Sequence, residues 1–290
     1  DWYNVGKLRN SGFEFDLNVK LIQKKDWYWD MSVNGYTYAN KMLNLPDEYK
    51  VSGMPNGNQR IYEGKDIYRW EMRQFAGLDE KGNSLWYMDR DLTDGEGNVV
   101  GVEKVTTGDA TEATQYLLEK SALPDFTGGL NTTLRWKSLD LTIMTNFQFG
   151  GYGYDYDFSA FSSANFPMNR LKNYADAWNP ETGKGSAPIW NTNDSNINAS
   201  SDRFLISKTY FNLRNITLGY TFPANWMSKI GIKSVRVYFA CDNVFFASKR
   251  KGYDPRTSMG GQGATVALNS VDGTYYSPIR TTSVGLNINF

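Results

Sequence analysis

The stretch Phe126-Thr127-Gly128-Gly129-Leu130-Asn131-Thr132-Thr133-Leu134-Arg135-Trp136 runs through Lys137-Ser138 into Leu139-Asp140-Leu141-Thr142-Ile143-Met144-Thr145-Asn146-Phe147-Gln148-Phe149, and its reading decides the fold class. Apolar residues fall mainly on the even positions of the first half and the odd positions of the second. A helix would scatter them around its axis, whereas a strand sets them on one face. Two such runs joined by a short polar connection predict an antiparallel hairpin.

The figure repeats outward in both directions. Phe13, Phe15, Leu17, Val19 and Leu21 alternate with Glu14, Asp16, Asn18 and Lys20. Beyond Lys24-Lys25-Asp26, a second run sets Trp27, Trp29, Met31 and Val33 against Tyr28, Asp30, Ser32 and Asn34. Toward the other end, a long strand beginning near Phe204 closes on Ile216, Leu218, Tyr220 and Phe222, and a turn over 223–233 feeds Val235, Val237, Phe239 and Cys241. The last run is Val284, Leu286, Ile288 and Phe290. Only a weak patch near Ala113–Lys120 has helical spacing. The chain reads as all-β and antiparallel, with about seven to nine strands.

Composition narrows the chemistry. Histidine is absent, which removes Ser-His-Asp and Cys-His nucleophiles, histidine bases and His-ligated zinc. One cysteine, Cys241, excludes an intrachain disulfide, and its place on an apolar strand face reads as lipid-facing or core. Lys plus Arg and Asp plus Glu tie at 31 each, so nothing favours nucleic acid as a partner. Paired acids such as Asp155 and Asp157 remain for glycoside cleavage, but nothing sets them apart from solvated loop residues. No catalytic residue is expected. No apolar run approaches a membrane helix. The chain opens Asp1-Trp2-Tyr3 with no leader features, which reads as a removed leader or a piece of a longer protein.

The connections alternate in length. Turns after Leu21, Trp136 and Phe222 are short, while those near 44–123, 151–203 and 247–278 are far longer than is usual. Short turns on one side and long loops on the other mark outer-membrane barrels, and these strands are long enough for a tilted crossing. Aromatic residues, 15% of the chain, cluster at the ends of the apolar faces, as at a lipid–water interface. The soluble alternative is a secreted glycan-binding or glycan-cleaving β-sandwich or propeller, whose strands also alternate.

Several motifs carry a family resemblance: Leu8-Arg9-Asn10-Ser11-Gly12-Phe13-Glu14, Pro124-Asp125-Phe126-Thr127-Gly128-Gly129-Leu130, Trp178-Asn179-Pro180, the run from Tyr210 to Tyr220, Asp242-Asn243-Val244-Phe245, Tyr253-Asp254-Pro255 and Gly285-Leu286-Asn287-Ile288-Asn289-Phe290. In order and spacing, the chain resembles the C-terminal part of a TonB-dependent outer-membrane transporter of the SusC/RagA type, found in Bacteroidetes. The resemblance implies a plugged transmembrane β-barrel of about 22 strands, of which residues 1–290 would form the last third, with extracellular loops near 44–123, 151–203 and 247–278. It implies TonB-dependent uptake of oligosaccharides or peptides in the outer membrane. A SusD-like surface lipoprotein would be the partner, with TonB engaged through a missing N-terminal region, lipid outside, and the remaining strands and plug completing the barrel. A related barrel serving assembly or secretion is the alternative within the same architecture.

Three groups of residues carry functional expectations. Val284, Leu286, Ile288 and Phe290 would face lipid and form the strand read during barrel assembly; the alternative is an ordinary closing strand in a soluble sheet. Tyr152, Tyr154, Tyr156, Tyr174, Trp178 and Trp190 offer rings that could stack on sugars, although packing of the loop itself, or contact with a partner lid, is the plainer reading. The segment Asp89–Asn98 is oxygen-rich like a calcium loop, but it lacks glycine at the sixth position of either EF-hand register. No cofactor is expected, with Ca²⁺ as the alternative at that segment.

Overall fold

The computed structural model describes residues 6–162, 172, 176–191, 194, 196–197, 199–227, 229, 231–249 and 278–290. Its strands are, in order, β1 (Lys7–Gln23), β2 (Trp27–Asn44), β3 (Met54–Asn56), β4 (Gln59–Ile61), β5 (Arg69–Arg73), β6 (Phe75–Leu78), β7 (Ser84–Thr93), β8 (Val99–Thr107), β9 (Gln115–Ser121), β10 (Pro124–Trp136), β11 (Leu139–Gly150), β12 (Tyr152–Tyr154), β13 (Leu205–Ser207), β14 (Tyr210–Thr221), β15 (Ser234–Ser248) and β16 (Thr281–Asn289). Two short helices, α1 (Tyr156–Phe161) and α2 (Ala224–Met227), are added. No helix among the described residues is long and apolar enough to cross a membrane, which says nothing of crossing by strands.

The principal sheet has seven strands in the order β1-β2-β10-β11-β14-β15-β16, all neighbours antiparallel. It is open. β1 and β16 each have one neighbour, and Phe13–Leu21 does not pair with Val284–Phe290. The alternation seen in sequence becomes register. Trp29, Leu134, Leu141, Leu218, Phe239 and Val284 form one row of directly opposed residues across six strands. The neighbouring row on the other face holds Lys20, Asp30, Thr133, Thr142, Thr217, Ala240 and Ser283. Because the side-chain period is two, this register sends the apolar sets of all strands to one side.

Short connections share one rim. Lys24 N–H donates to the Trp27 carbonyl, Lys137 N–H to Asp26, Thr221 N–H to Ser138 and Lys233 N–H to Asn289, so the three turns and the end of β16 lie together. Lys137 takes a left-handed φ of 51° in the tight β10–β11 connection.

Several elements depart from the sequence reading. β1, β2, β15 and β16 extend beyond their apolar runs, because the chain keeps its extended pairing after alternation ends. Gln115–Ser121, which overlaps the patch of helical spacing, is strand β9, held by pairing with β5. The expected long strand from Phe204 is broken: Leu205–Ser207 pairs with Tyr152–Tyr154 in a separate sheet, and β14 begins at Tyr210. The connection from β2 to β10 is itself folded, carrying one sheet in the order β3-β4-β5-β9 and another in the order β6-β7-β8. Most of the 247–278 connection, with Tyr253-Asp254-Pro255, lies outside the described residues.

Candidate functional site

The apolar face of the principal sheet has no core to bury it. Phe13, Leu17, Phe149, Phe211, Leu218, Phe239, Phe245, Val284, Leu286 and Phe290 are all exposed, Phe13 at 67% and Val284 at 76%. Apart from Met42 near the top of β2, the buried members of the hydrophobic clusters found among the described residues come from other segments. An apolar surface this broad, continuous over a sheet, would drive a water-soluble protein to associate; in hydrocarbon it is simply solvated.

Two aromatic bands bound that face. Near the long-loop rim, Phe13, Phe15, Phe126, Phe147 and Phe149 form a ladder with successive ring centroids 5.6–6.4 Å apart. Gly35 makes room for it, since a Cβ there would strike the Phe126 ring. Near the turn rim, Trp27 stacks on Trp136 at 5.6 Å and Tyr220 meets Phe222 edge-on at 5.1 Å. Phe126 and Trp136 are ten residues apart on β10. At about 3.4 Å per residue and a tilt of about 40°, the bands stand about 26 Å apart, close to the apolar height of an outer-membrane barrel.

The opposite face is polar and hydrogen-bonded. Asn212, 1% exposed, donates its amide to the Asn146 Oδ1 at 2.8 Å. Arg236 reaches across β14 to Asp140, with its Nε 3.1 Å from Oδ1. The strand between them carries Gly219, where a Cβ would collide with both side chains.

At the other end of the strands, two connections fuse into a cap. Trp70, Met72, Leu118 and Ala122 from the β2–β10 connection bury against Tyr154 and Phe204 from the β11–β14 connection. Trp70 Nε1 donates to the Tyr152 carbonyl at 3.1 Å, Phe75 N–H to Asp202 Oδ1 at 2.9 Å, and Ser200 Oγ to Asn58 Oδ1 at 3.1 Å. Lys208 sits at the base, its Nζ donating to the Ala122 carbonyl at 3.2 Å, and burial pushes its pKa down. Tyr116 donates to Asp89 Oδ1 at 2.6 Å; burial first, and that bond second, push its hydroxyl up to about 12.

The aromatic residues singled out in the long connection do not converge. Tyr154 is 3% exposed inside the cap, so the expectation that it stacks on a sugar fails: the ring is already covered by protein. Tyr152 is half-buried against the same cluster. Trp178 is half-buried over Gly82, while Trp190 is exposed beside the Ile189–Gly82 hydrogen bond. Tyr174 lies outside the described residues. The segment Asp89–Asn98 is the end of the β7–β8 hairpin. Asp94 turns its carboxylate onto the backbone N–H groups of Asn98 and Glu96, both at 2.9 Å, which holds its pKa below the carboxylate norm. Those oxygens serve the turn. Signals for the hairpin were in the sequence, since Asp94-Gly95-Glu96-Gly97-Asn98 separates two strand-like runs. Nothing local announced that the two connections would join.

No family model matches the chain. It is 25% identical over 308 residues to the TonB-dependent receptor P3 of Formosa agariphila, covering 99% of this chain and 29% of that protein. To the TonB-dependent receptor SusC of Bacteroides thetaiotaomicron it is 26% identical over 294 residues, covering 99% and 27%. The chain thus spans under a third of the length of the curated relatives it matches. Among solved structures it superposes on a chain of the RagAB peptide transporter with a TM-score of 0.71 and 27% identity, over 89% of this chain and 28% of that one. Taken with an open sheet whose apolar face is uncovered among the described residues, these likenesses support reading the chain as a C-terminal piece of the outer-membrane β-barrel of a SusC-type TonB-dependent receptor.

Proposed function

We propose that this chain is the lipid-embedded arc of an importer that takes up oligosaccharides or peptides under the drive of TonB. The observation that carries the reading is the principal sheet: apolar and uncovered on one side, polar and hydrogen-bonded on the other, and unpaired at both edges. A backbone edge stranded in hydrocarbon costs several kcal/mol per unpaired group, so β1 and β16 must meet further strands. In this reading the rest of the barrel and a plug come from other parts of the full-length receptor. The capped rim faces the cell exterior, where it receives a SusD-like lipoprotein, and the short turns face the periplasm. Val284, Leu286, Ile288 and Phe290 form the strand read during assembly, and Trp190 is the exposed loop ring best placed to touch cargo. No catalysis and no resident cofactor or metal belong to this reading.

The test uses the full-length receptor in its own cell. Deleting its gene should abolish growth on one class of oligosaccharide or peptide, and restoring it without the TonB-binding segment should not rescue. Intact uptake together with a defect in assembling or secreting other surface proteins would favour the scaffold alternative. Recovery of the receptor in aqueous buffer without detergent would favour the soluble one. Phe290→Ser should lower the yield of heat-resistant folded barrel on gels; an unchanged yield would remove the assembly role.

A further inference from the structure

Along the outward face of the principal sheet, the register-paired residues between the two aromatic bands carry no charge. Charge appears above the upper band, where β1 and β2 continue as a two-stranded ribbon beyond the last β2–β10 pair, Tyr36↔Thr127. There Arg9 lies directly opposite Lys41, on the face that carries Phe13 and Phe15, and both are exposed; Lys7 is two residues further along β1, paired with Asn44 beyond a register shift. Like charges directly opposed on one face of a sheet destabilise it. Three acids of the connection that follows β2 are engaged elsewhere. Asp47 pairs with Lys50 at 2.6 Å, Glu63 accepts the Leu45 N–H at 2.7 Å, and Asp66 takes Arg69 at 3.2 Å and Ser121 Oγ at 2.7 Å. Among the described residues no ion pair includes Lys7, Arg9 or Lys41.

Arg9 stands four residues above Phe13, about 10 Å higher along a tilted strand. If the Phe ladder marks the edge of the hydrocarbon, the cations lie at the level of lipid headgroups. We propose that Arg9 and Lys41, with Lys7 beside them, form a docking site for the phosphate group of an outer-leaflet lipid, whose acyl chains lie on the Phe13–Phe15 ladder below. A phosphate between Arg9 and Lys41 turns their repulsion into two charge-assisted hydrogen bonds, and the guanidinium can bind it in a bidentate fashion. Below the cations, past the Ser11–Ala39 pair, the same face turns apolar at Phe13 and Phe15, so headgroup and tail are met by one side of the sheet. The inference rests on the membrane reading above, with the capped rim outward.

The experiment takes the full-length receptor, purified in neutral detergent, and follows barrel unfolding by heat-dependent gel mobility. Bisphosphorylated lipid A should raise the midpoint by about 2–4 °C. The same lipid stripped of both phosphates, and inorganic phosphate alone, should not. Arg9→Gln with Lys41→Gln should lose most of the rise, and Arg9→Lys with Lys41→Arg should keep it. An equal rise in the glutamine variant, or an equal rise with the phosphate-free lipid, overturns the proposal, and a rise with inorganic phosphate overturns the lipid as its source. Should the glutamine variant fail to fold, the two lipids applied to the parent receptor still decide. Failure of the membrane reading would show separately, as a receptor that purifies without detergent.

Discussion

Tyr116 illustrates how a single side chain reports on the cap. Its hydroxyl is pushed from the ordinary 10.0 up to about 12, by burial first and by the bond to Asp89 second. Folding therefore favours the protonated ring, and the stability this contributes is whole below pH 10 and lost as pH climbs from 10 toward 12. Tyrosinate absorbance should show one group titrating late, and Asp89→Asn should draw it back only in part, since burial is the larger cause. A full return to the ordinary value would mean that the bond dominates. Gly219 poses a different test. A side chain there would be forced into the Asp140–Arg236 pair, so Gly219→Val should cost about 1–3 kcal/mol in the unfolding of the full-length receptor. Neither residue was legible from sequence. Tyr116 fell in a patch whose spacing looked helical, and a glycine in an alternating strand says nothing of what leans across it.

At the scale of a strand, β11 carries its own control. Ile143 faces outward midway between the bands, opposite Thr132 and Ile216, whereas Leu141 is one outward position nearer the turn rim. Ile143→Arg should destabilise the receptor by about 2–4 kcal/mol and Leu141→Arg by less, because the penalty falls with distance from the midplane. Equal costs, measured as loss of heat-resistant barrel in denaturant, would point to a packed protein core in place of lipid. On the inner face, alternation alone makes Asn146 look like a free position. It is not, because it holds the buried Asn212, so the tolerant inner control is Asn131, opposite Ser32 and Met144. The period of two thus told which way each side chain points, and the long strands were readable for that reason. It could not tell which inward side chains had found one another, since such pairs are set by register between strands distant in sequence.

For the whole molecule, the seven-stranded sheet and its cap differ in what holds them. The cap has buried clusters of its own; the sheet has pairing and lipid. Residues 1–290 expressed alone in water should therefore sediment as aggregate, while retaining β-sheet signal in the pellet. A monodisperse soluble product would contradict the membrane assignment. The sheet was legible because hydrophobic alternation is a local signal, whereas the cap was not. Its strands are short, its cores join residues such as Trp70 and Phe204 that lie far apart in the chain, and no short window of sequence records that meeting.

That joining of two connections into one body has an immunological consequence. With Trp70 bonded to the Tyr152 carbonyl and Arg73 bridged to Ser201, the exterior of the cap is assembled from separated stretches of chain. With the capped rim outward, as proposed above, antibodies or bacteriophages that select this surface on living cells should recognise discontinuous epitopes. Linear peptides copied from either connection should compete poorly for them, and boiling the receptor should erase the recognition.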